Sequence, residues 1–219
     1  MKTPRIVFRD KLYRIRSTQK YGMGITYKDS FRSGLKGEVF FKLHDAKTGE
    51  LIEDRHIKNI ITRDMSILVS RLLRSNTEPF RGLSMLAVGT GDVGWDPMNP
   101  PASTNTQRSL YAEIARKPFA SVNFVDAGGL PTAIPTNVVD FTTTFTETEA
   151  VGPLVEMGLL GGDANPLLPS VRNPILPPNG AFDPTVDVVG KDQLCNYLTF
   201  PVINKPAMAV LTLTWRITT

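Results

Sequence analysis

YLTFPVINKPAMAVLTLTWRIT, residues 197–218, decides the class of fold. From Leu211 onward apolar and polar residues alternate without a break. Leu211, Leu213, Trp215 and Ile217 fall on one side, and Thr212, Thr214, Arg216 and Thr218 on the other. A period of two belongs to a strand with one buried face, and β-branched and aromatic residues suit a pleated surface. Residues 197–203 have the same character. The link NKPA between the two runs reads as the loop of a closing hairpin.

Working toward the N-terminus, GEVFFKLHDAKTGELIEDRHIKNII (residues 37–61) reads as another hairpin. Residues 38–44 form its first strand, DAKTGE its turn with Gly49 at the left-handed position, and residues 51–61 its return, with Ile57 and Ile60 or Ile61 apolar. Further strands are expected at 82–88, 119–125, 138–149 and 154–160. In 138–149, Asp140, Thr142, Thr144, Thr146 and Thr148 line one face, and Phe141, Thr143, Phe145, Glu147 and Glu149 the other. Two segments carry a helical pattern. In TRDMSILVSRLLRSN (62–76), Met65, Leu68, Val69, Leu72 and Leu73 form one apolar stripe. Thr62 stands at the N-cap, Asp64 in the first turn, Arg71 and Arg74 near the end, and Asn76 closes the helix. QRSLYAEIAR (107–116) reads as a second, short helix capped by Thr104 or Thr106, with Leu110, Ile114 and Tyr111 facing inward.

About eight strands, two short helices and no βαβ alternation imply a mainly β protein. The expected architecture is an antiparallel β-sandwich, jelly-roll-like, spanning residues 37–219. It carries a long loop at 161–192 with six prolines (Pro166, Pro169, Pro174, Pro177, Pro178 and Pro184) and follows an extended N-terminal arm, residues 1–36. That arm holds ten Lys or Arg and two Asp, a net of +8, while the whole chain is +4, so the remainder carries −4. A basic arm interleaved with Phe8, Tyr13, Tyr21, Tyr27 and Phe31 suits either phosphates with stacked bases or an acidic protein surface. No nucleic-acid module accompanies it, and protein contact is the preferred reading. No apolar run approaches membrane-spanning length, and the first residues lack the apolar core of a signal peptide. The single cysteine, Cys195, excludes an internal disulfide and points to a reducing compartment of assembly.

LAVGTGDVGWDPMNPP (residues 86–101) poses the sharpest functional question. Gly89, Gly91 and Gly94 fit the bare G-x-G-x-x-G pattern of a dinucleotide loop. The context does not fit, because that pattern must run straight into a helix, and here Asp92, Trp95, Asp96 and a run of prolines intervene. Nor does a G-K-[ST] follow. The patch reads as a turn at a strand end. His44 and His56 flank the first hairpin turn but lack a third ligand. Glu147 and Glu149, on one strand face, form a weak carboxylate pair. Cys195 reads as a small buried apolar residue. No catalytic residue, cofactor or metal is expected.

The order of these features resembles that of virion structural proteins of tailed bacteriophages, of the tail, baseplate and fibre-attachment type. The resemblance lies in GEVFFKLHDAKTGELIEDRHIKNIIT, RDMSILVSRLLRSN, LSMLAVGTGD and STNTQRSLYAEIARK, then VDFTTTFTETEAVGPLVEMGLL and YLTFPVINKPAMAVLTLTWRIT. It covers residues 37–160 and 196–219 and rests on a strand ending in V-G-T-G, an L-x-x-E-x-x-R segment, F-P-x-I-x-K and a final L-T-x-T-W strand. It implies that Gly89 and Gly91 turn the chain sharply and that Leu110, Glu113 and Arg116 pack the second helix back on the sandwich, Glu113 pairing with Arg116 across one helical turn. It implies a non-enzymatic virion protein, a homo-oligomer and in expectation a trimer, bound to its own copies and to other virion proteins. The arm would then act as a strand added to a neighbour's edge or a strap across its face, with Arg5, Arg9, Tyr13, Arg14 and Arg16 in contact, and Trp95 presented by its loop. The arm and the proline-rich loop depart from the family's minimal pattern. They leave the station in the virion open between tail, baseplate, collar and capsid surface. A capsid decoration protein and a host-glycan-binding module using Trp95 as a stacking platform are the alternatives.

Overall fold

Alternation in the last strand is realised residue by residue. Strand β10 (Ala209–Thr218) is buried at every odd position and half-exposed at every even one, with Leu211, Leu213 and Trp215 wholly inside. The computed structural model describes residues 34–74, 81–162 and 192–219. The chain divides into Met1–Gly34 and Leu35–Thr219, and the fold is that of the second unit. Most of the expected arm, with Arg5, Arg9, Tyr13, Arg14 and Arg16, lies outside the described residues, as do Asn76 and most of the 161–192 loop.

Ten strands and one helix make up the described chain. Besides β10 they are β1 (Lys36–Asp45), β2 (Leu51–Ile61), α1 (Arg63–Arg74), β3 (Arg81–Gly89), β4 (Glu113–Pro118), β5 (Ser121–Val125), β6 (Pro131–Thr132), β7 (Val138–Phe145), β8 (Gly152–Gly162) and β9 (Asp192–Lys205). All pair antiparallel, in the order β4-β3-β8-β9-β2-β1-β10-β7-β5-β6. The sheet is joined at its middle by a narrow seam. There β2 meets β9 only at Ile60 with Tyr197 and Ile61 with Asn196. Side chains from both sides of the seam share one core. Val39, Phe41, Leu43, Phe145, Leu211, Leu213 and Trp215 from one half meet Leu86, Val88, Leu154, Met157, Leu159, Leu198 and Phe200 from the other. The rings of Phe41 and Phe200 lie 6.2 Å apart across it. β3, β8 and β9 are buried on both faces. Their far side carries Met85, Ala87, Leu160, Leu194 and Tyr197, covered by Leu110.

The first hairpin forms as its residues dictate. β1 and β2 pair from Gly37 with Asn59 to His44 with Leu51. In the turn the Asp45 carboxylate accepts the N–H groups of Lys47 and Thr48 at 2.9 and 2.8 Å, and Gly49 takes a φ of 72°. Those backbone donors hold the Asp45 carboxyl below its ordinary range. The closing hairpin does not form. β9 and β10 follow one another in the chain but lie in opposite halves, β9 beside β8 and β10 between β1 and β7. The link at 206–208 is thus an arch between the two halves of the sheet. β9 from Thr199 on and β10 along its length are each one-sided, and each pairs with other strands.

The second helix is a correction. Residues 108–112 are irregular, and β4 begins at Glu113. Its helical spacing is overridden by long-range bonds: Tyr111 and Ala112 give their N–H groups to Glu156, and the Ala112 carbonyl accepts Thr90 N at 2.9 Å. In α1, Met65 and Leu68 pack with Cys195, Ile61 and Leu83 as the stripe requires, but Leu72 and Leu73 are exposed. Thr62 is buried, and its hydroxyl donates to the Leu194 carbonyl across the fold. β7 stops at Phe145, so Glu147 and Glu149 sit in the following turn and not side by side on a strand.

Candidate functional site

The glycine turn does bind an anion, and the anion is the chain's own. Glu156 stands in the middle of β8, among apolar neighbours, with no exposed surface. Its carboxylate takes four donors: Gly91 N at 3.2 Å and Ala112 N at 2.9 Å on Oε1, Tyr111 N at 3.0 Å and the Tyr197 hydroxyl at 2.8 Å on Oε2. Burial pushes the Glu156 carboxyl above its ordinary value, and the four donors pull it back in part. The same burial, with the neighbouring carboxylate, raises the Tyr197 phenol, which therefore stays a donor.

Glycine is required on both sides of this carboxylate. A Cβ on Gly89 would stand 2.5 Å from Glu156 Oε1 and 2.6 Å from the Ala112 carbonyl. Gly91 has a φ of 70°, and a Cβ there would meet the Trp95 ring at 2.5 Å and Val155 at 2.6 Å. The backbone amides that a phosphate would need are thus already taken: Gly91 N by Glu156, Thr90 N by the Ala112 carbonyl and Gly94 N by the Asp92 carboxylate. The Trp95 ring closes the turn from outside. It is half-buried over Gly91 and meets Tyr111 edge-on, with ring centres 4.7 Å apart. The sequence places Trp95 in an exposed loop; in the fold much of its face is occupied by protein.

Glu113 and Arg116 do pair, by a different route from the expected helix. The Arg116 guanidinium holds both Glu113 oxygens, one of them at 2.8 Å, and both side chains are buried. Residues three apart on a regular strand face opposite ways. Here the register jumps so that Glu113 stands opposite Gly89 and Ala115 opposite Val88, with Ile114 bulged out. That extra residue brings Glu113 and Arg116 to the same face. Asp64, at the start of α1, faces Arg108 at 3.5 Å, both buried. Lys205, the last residue of F-P-x-I-x-K, is also buried and donates to the carbonyls of Thr146 and Glu147 at 2.8 and 3.3 Å. Burial lowers its pKa, against the pull of Glu149 and Glu147. It holds the arch to the turn after β7.

The face of β7, β10, β1 and β2 turned away from the core is a polar ladder read straight across the strands. Asp140 grips Arg216 at 2.7 and 2.8 Å. Thr142 meets Thr214 at 3.0 Å, and Thr144 meets Thr212 at 3.3 Å. The Arg216 guanidinium lies over Phe40, which stacks on His56, which faces Glu38 at 3.2 Å. His44 is opposite Leu51 and His56 opposite Phe40, so the two histidines stand in different rows. Among the described residues no group of three His, Cys, Asp or Glu is placed to hold a metal ion, and no helix is long and apolar enough to cross a membrane. Cys195 is buried, its thiol pushed up by burial and by Asp64.

Sequence reasoning missed Glu156 and Lys205. The signal was present in both cases: a lone charge inside an otherwise apolar strand must find partners there. Compared with known proteins, the chain matches no family model and no curated protein sequence.

Proposed function

We propose that this chain is a non-enzymatic structural protein of a tailed-phage virion, working in the tail, baseplate or fibre-attachment region. Its body is read as a jelly-roll-like β-sandwich, the two halves of the sheet facing each other across their shared core and joined along the β2–β9 seam. It assembles as a homo-oligomer, a trimer, and the basic arm joins neighbouring subunits and other virion proteins through Arg5, Arg9, Tyr13, Arg14 and Arg16.

One observation carries this reading. The groups that look chemical in the sequence are spent on architecture, the glycine turn on Glu156 first among them. The resemblance adds the virion setting: its V-G-T-G and F-P-x-I-x-K motifs coincide with places where distant segments are tied together, and its L-x-x-E-x-x-R motif holds the buried Glu113–Arg116 pair. The glycan alternative is weakened by the contacts of Trp95 with Gly91 and Tyr111. The test is a map of the native particle with this chain located in it, and incorporation of a chain lacking residues 1–33. The proposal expects a defined, repeated position and failure of the shortened chain to incorporate. Normal incorporation of the shortened chain would remove the arm's role, and a position on the capsid surface would make the chain a decoration protein.

A further inference from the structure

An unpaired strand edge is a template for another strand, and sheets blunt their edges for that reason. Among the described residues this sheet blunts almost all of its own. β6 has two residues and begins with Pro131. β4 ends in Pro118, and Lys117 beside it is clasped by Glu149 at 2.6 Å. Past the seam the open side of β9 is capped. Thr199 N donates to Ser103 Oγ at 2.9 Å, Val202 N to the Pro97 carbonyl at 2.8 Å, and Pro201 has no N–H to offer. Arg55 fills the Pro201 carbonyl at 2.7 Å.

Among the described residues the outer side of β4 and residues 121–123 of β5 also lack a partner strand, but β2 leaves the longest stretch open. It is bound to β1 along residues 51–59, and on its other side it meets β9 only at Ile60 and Ile61. Along 51–59 no backbone group bonds to anything described beyond β1. A cleft opens there, lined by Arg55, His56 and Ile57 on one lip and Thr199, Phe200 and Pro201 on the other. At its outer end Leu51 and Ile52 are 49% and 54% exposed.

We propose that residues 51–59 of β2 accept an extended segment from the basic arm, residues 1–33, of a second copy of this chain, by addition of a strand to the sheet. This rests on the assembly reading above and names its site. The arm's composition fits an added strand, with Ile6, Val7, Phe8, Tyr13 and Ile15 among its first residues. Nine Lys or Arg against two Asp meet an edge that carries Glu50, Glu53 and Asp54 at its turn end and Arg55 and Lys58 further along, so charge favours the turn end alone. Reach is ample: an extended 33-residue segment spans about 100 Å, while a body of this size is roughly 40 Å across.

Proline tests the edge directly. Neighbouring residues send their N–H groups to opposite edges, so of Glu53→Pro and Asp54→Pro one removes only an outward donor. The full-length variant that keeps wild-type melting is expected to sediment as a monomer; wild-type mass in that variant overturns the proposal. A chain lacking residues 1–33 separates the two levels. If it is monomeric while the folded proline variant assembles, the arm still acts and β2 is not its site; if it assembles normally, both readings fall. Should both proline variants unfold, cross-linking decides. Cysteines placed singly at Arg5, Arg9, Tyr13, Arg14 and Arg16 are mixed with Asp54→Cys chains, Cys195 being buried. Disulfides between unlike full-length chains are expected. Their absence throughout the series overturns the proposal.

Discussion

Replacing Glu156 with glutamine would set an amide NH2 where backbone N–H groups already point. Each oxygen of Glu156 faces two donors, and at most the Tyr197 hydroxyl can turn to accept. The expected cost is about 1–3 kcal/mol, read as a lower denaturation midpoint in urea at unchanged slope. Tyr197→Phe removes one donor and leaves three, so it should cost less, about 1 kcal/mol. Equal stability of Glu156→Gln and wild type would mean that the carboxylate does not organise the turn. Little of this was legible in the sequence. The acid in LVEMGLL stands out, but its donors come from Gly91, Tyr111, Ala112 and Tyr197, and no local pattern announces a partner so far along the chain. The glycines were legible as a turn, though not the reason that Gly89 must be bare.

At the scale of elements, Gly91→Ala places a side chain at positive φ against Trp95 and Val155. Its expected cost is about 2 kcal/mol or more, about 1 of it backbone strain alone. The turn at 146–150 supplies a pH test. Burial would raise the Glu149 carboxyl, but the Lys117 ammonium and the donors of Thr146 outweigh it and hold it below its ordinary value. A depressed folded pKa means stability that is present above the ordinary carboxylate range and is lost as pH falls through the folded value. The pair is more than a third exposed, so the effect is about 0.5 kcal/mol after screening. Glu149→Gln should lose it at neutral pH and show a correspondingly flatter acid limb in denaturation midpoints from about pH 7 down to about pH 3; superimposable profiles would contradict it. Elements with local signals were legible: the DAKTGE turn, the start of α1, the alternation of β10. QRSLYAEIAR was not, because its helical spacing and its strand pairing compete and the pairing partners, β3 and Glu156, are remote. Leu72 and Leu73 obey the stripe yet stay exposed, since periodicity fixes a face without naming what covers it.

At the scale of the whole molecule, the arch between β9 and β10 is the largest departure from what the sequence suggests. Two one-sided strands joined by NKPA look alike whether they pair or face each other across a core, because alternation specifies the buried side and not the neighbour. Lys205→Met should expose the arch's dependence on its anchor. Two carbonyls of the turn lose their donor, and a loss of about 1–3 kcal/mol is expected by thermal or urea unfolding; an unchanged midpoint would show that the arch stands without it. Residues 1–36 carry +8 and the remainder −4, an asymmetry legible from composition alone. On the proposed function, this chain works by assembling, and residues 1–33 make the assembly. Sedimentation velocity of the full chain beside one lacking residues 1–33, at matched concentration and low salt, tests that claim most directly. The full chain is predicted to run as a discrete oligomer of trimer mass and the shortened chain as a monomer with the same unfolding midpoint of its body; identical masses for the two would contradict the account.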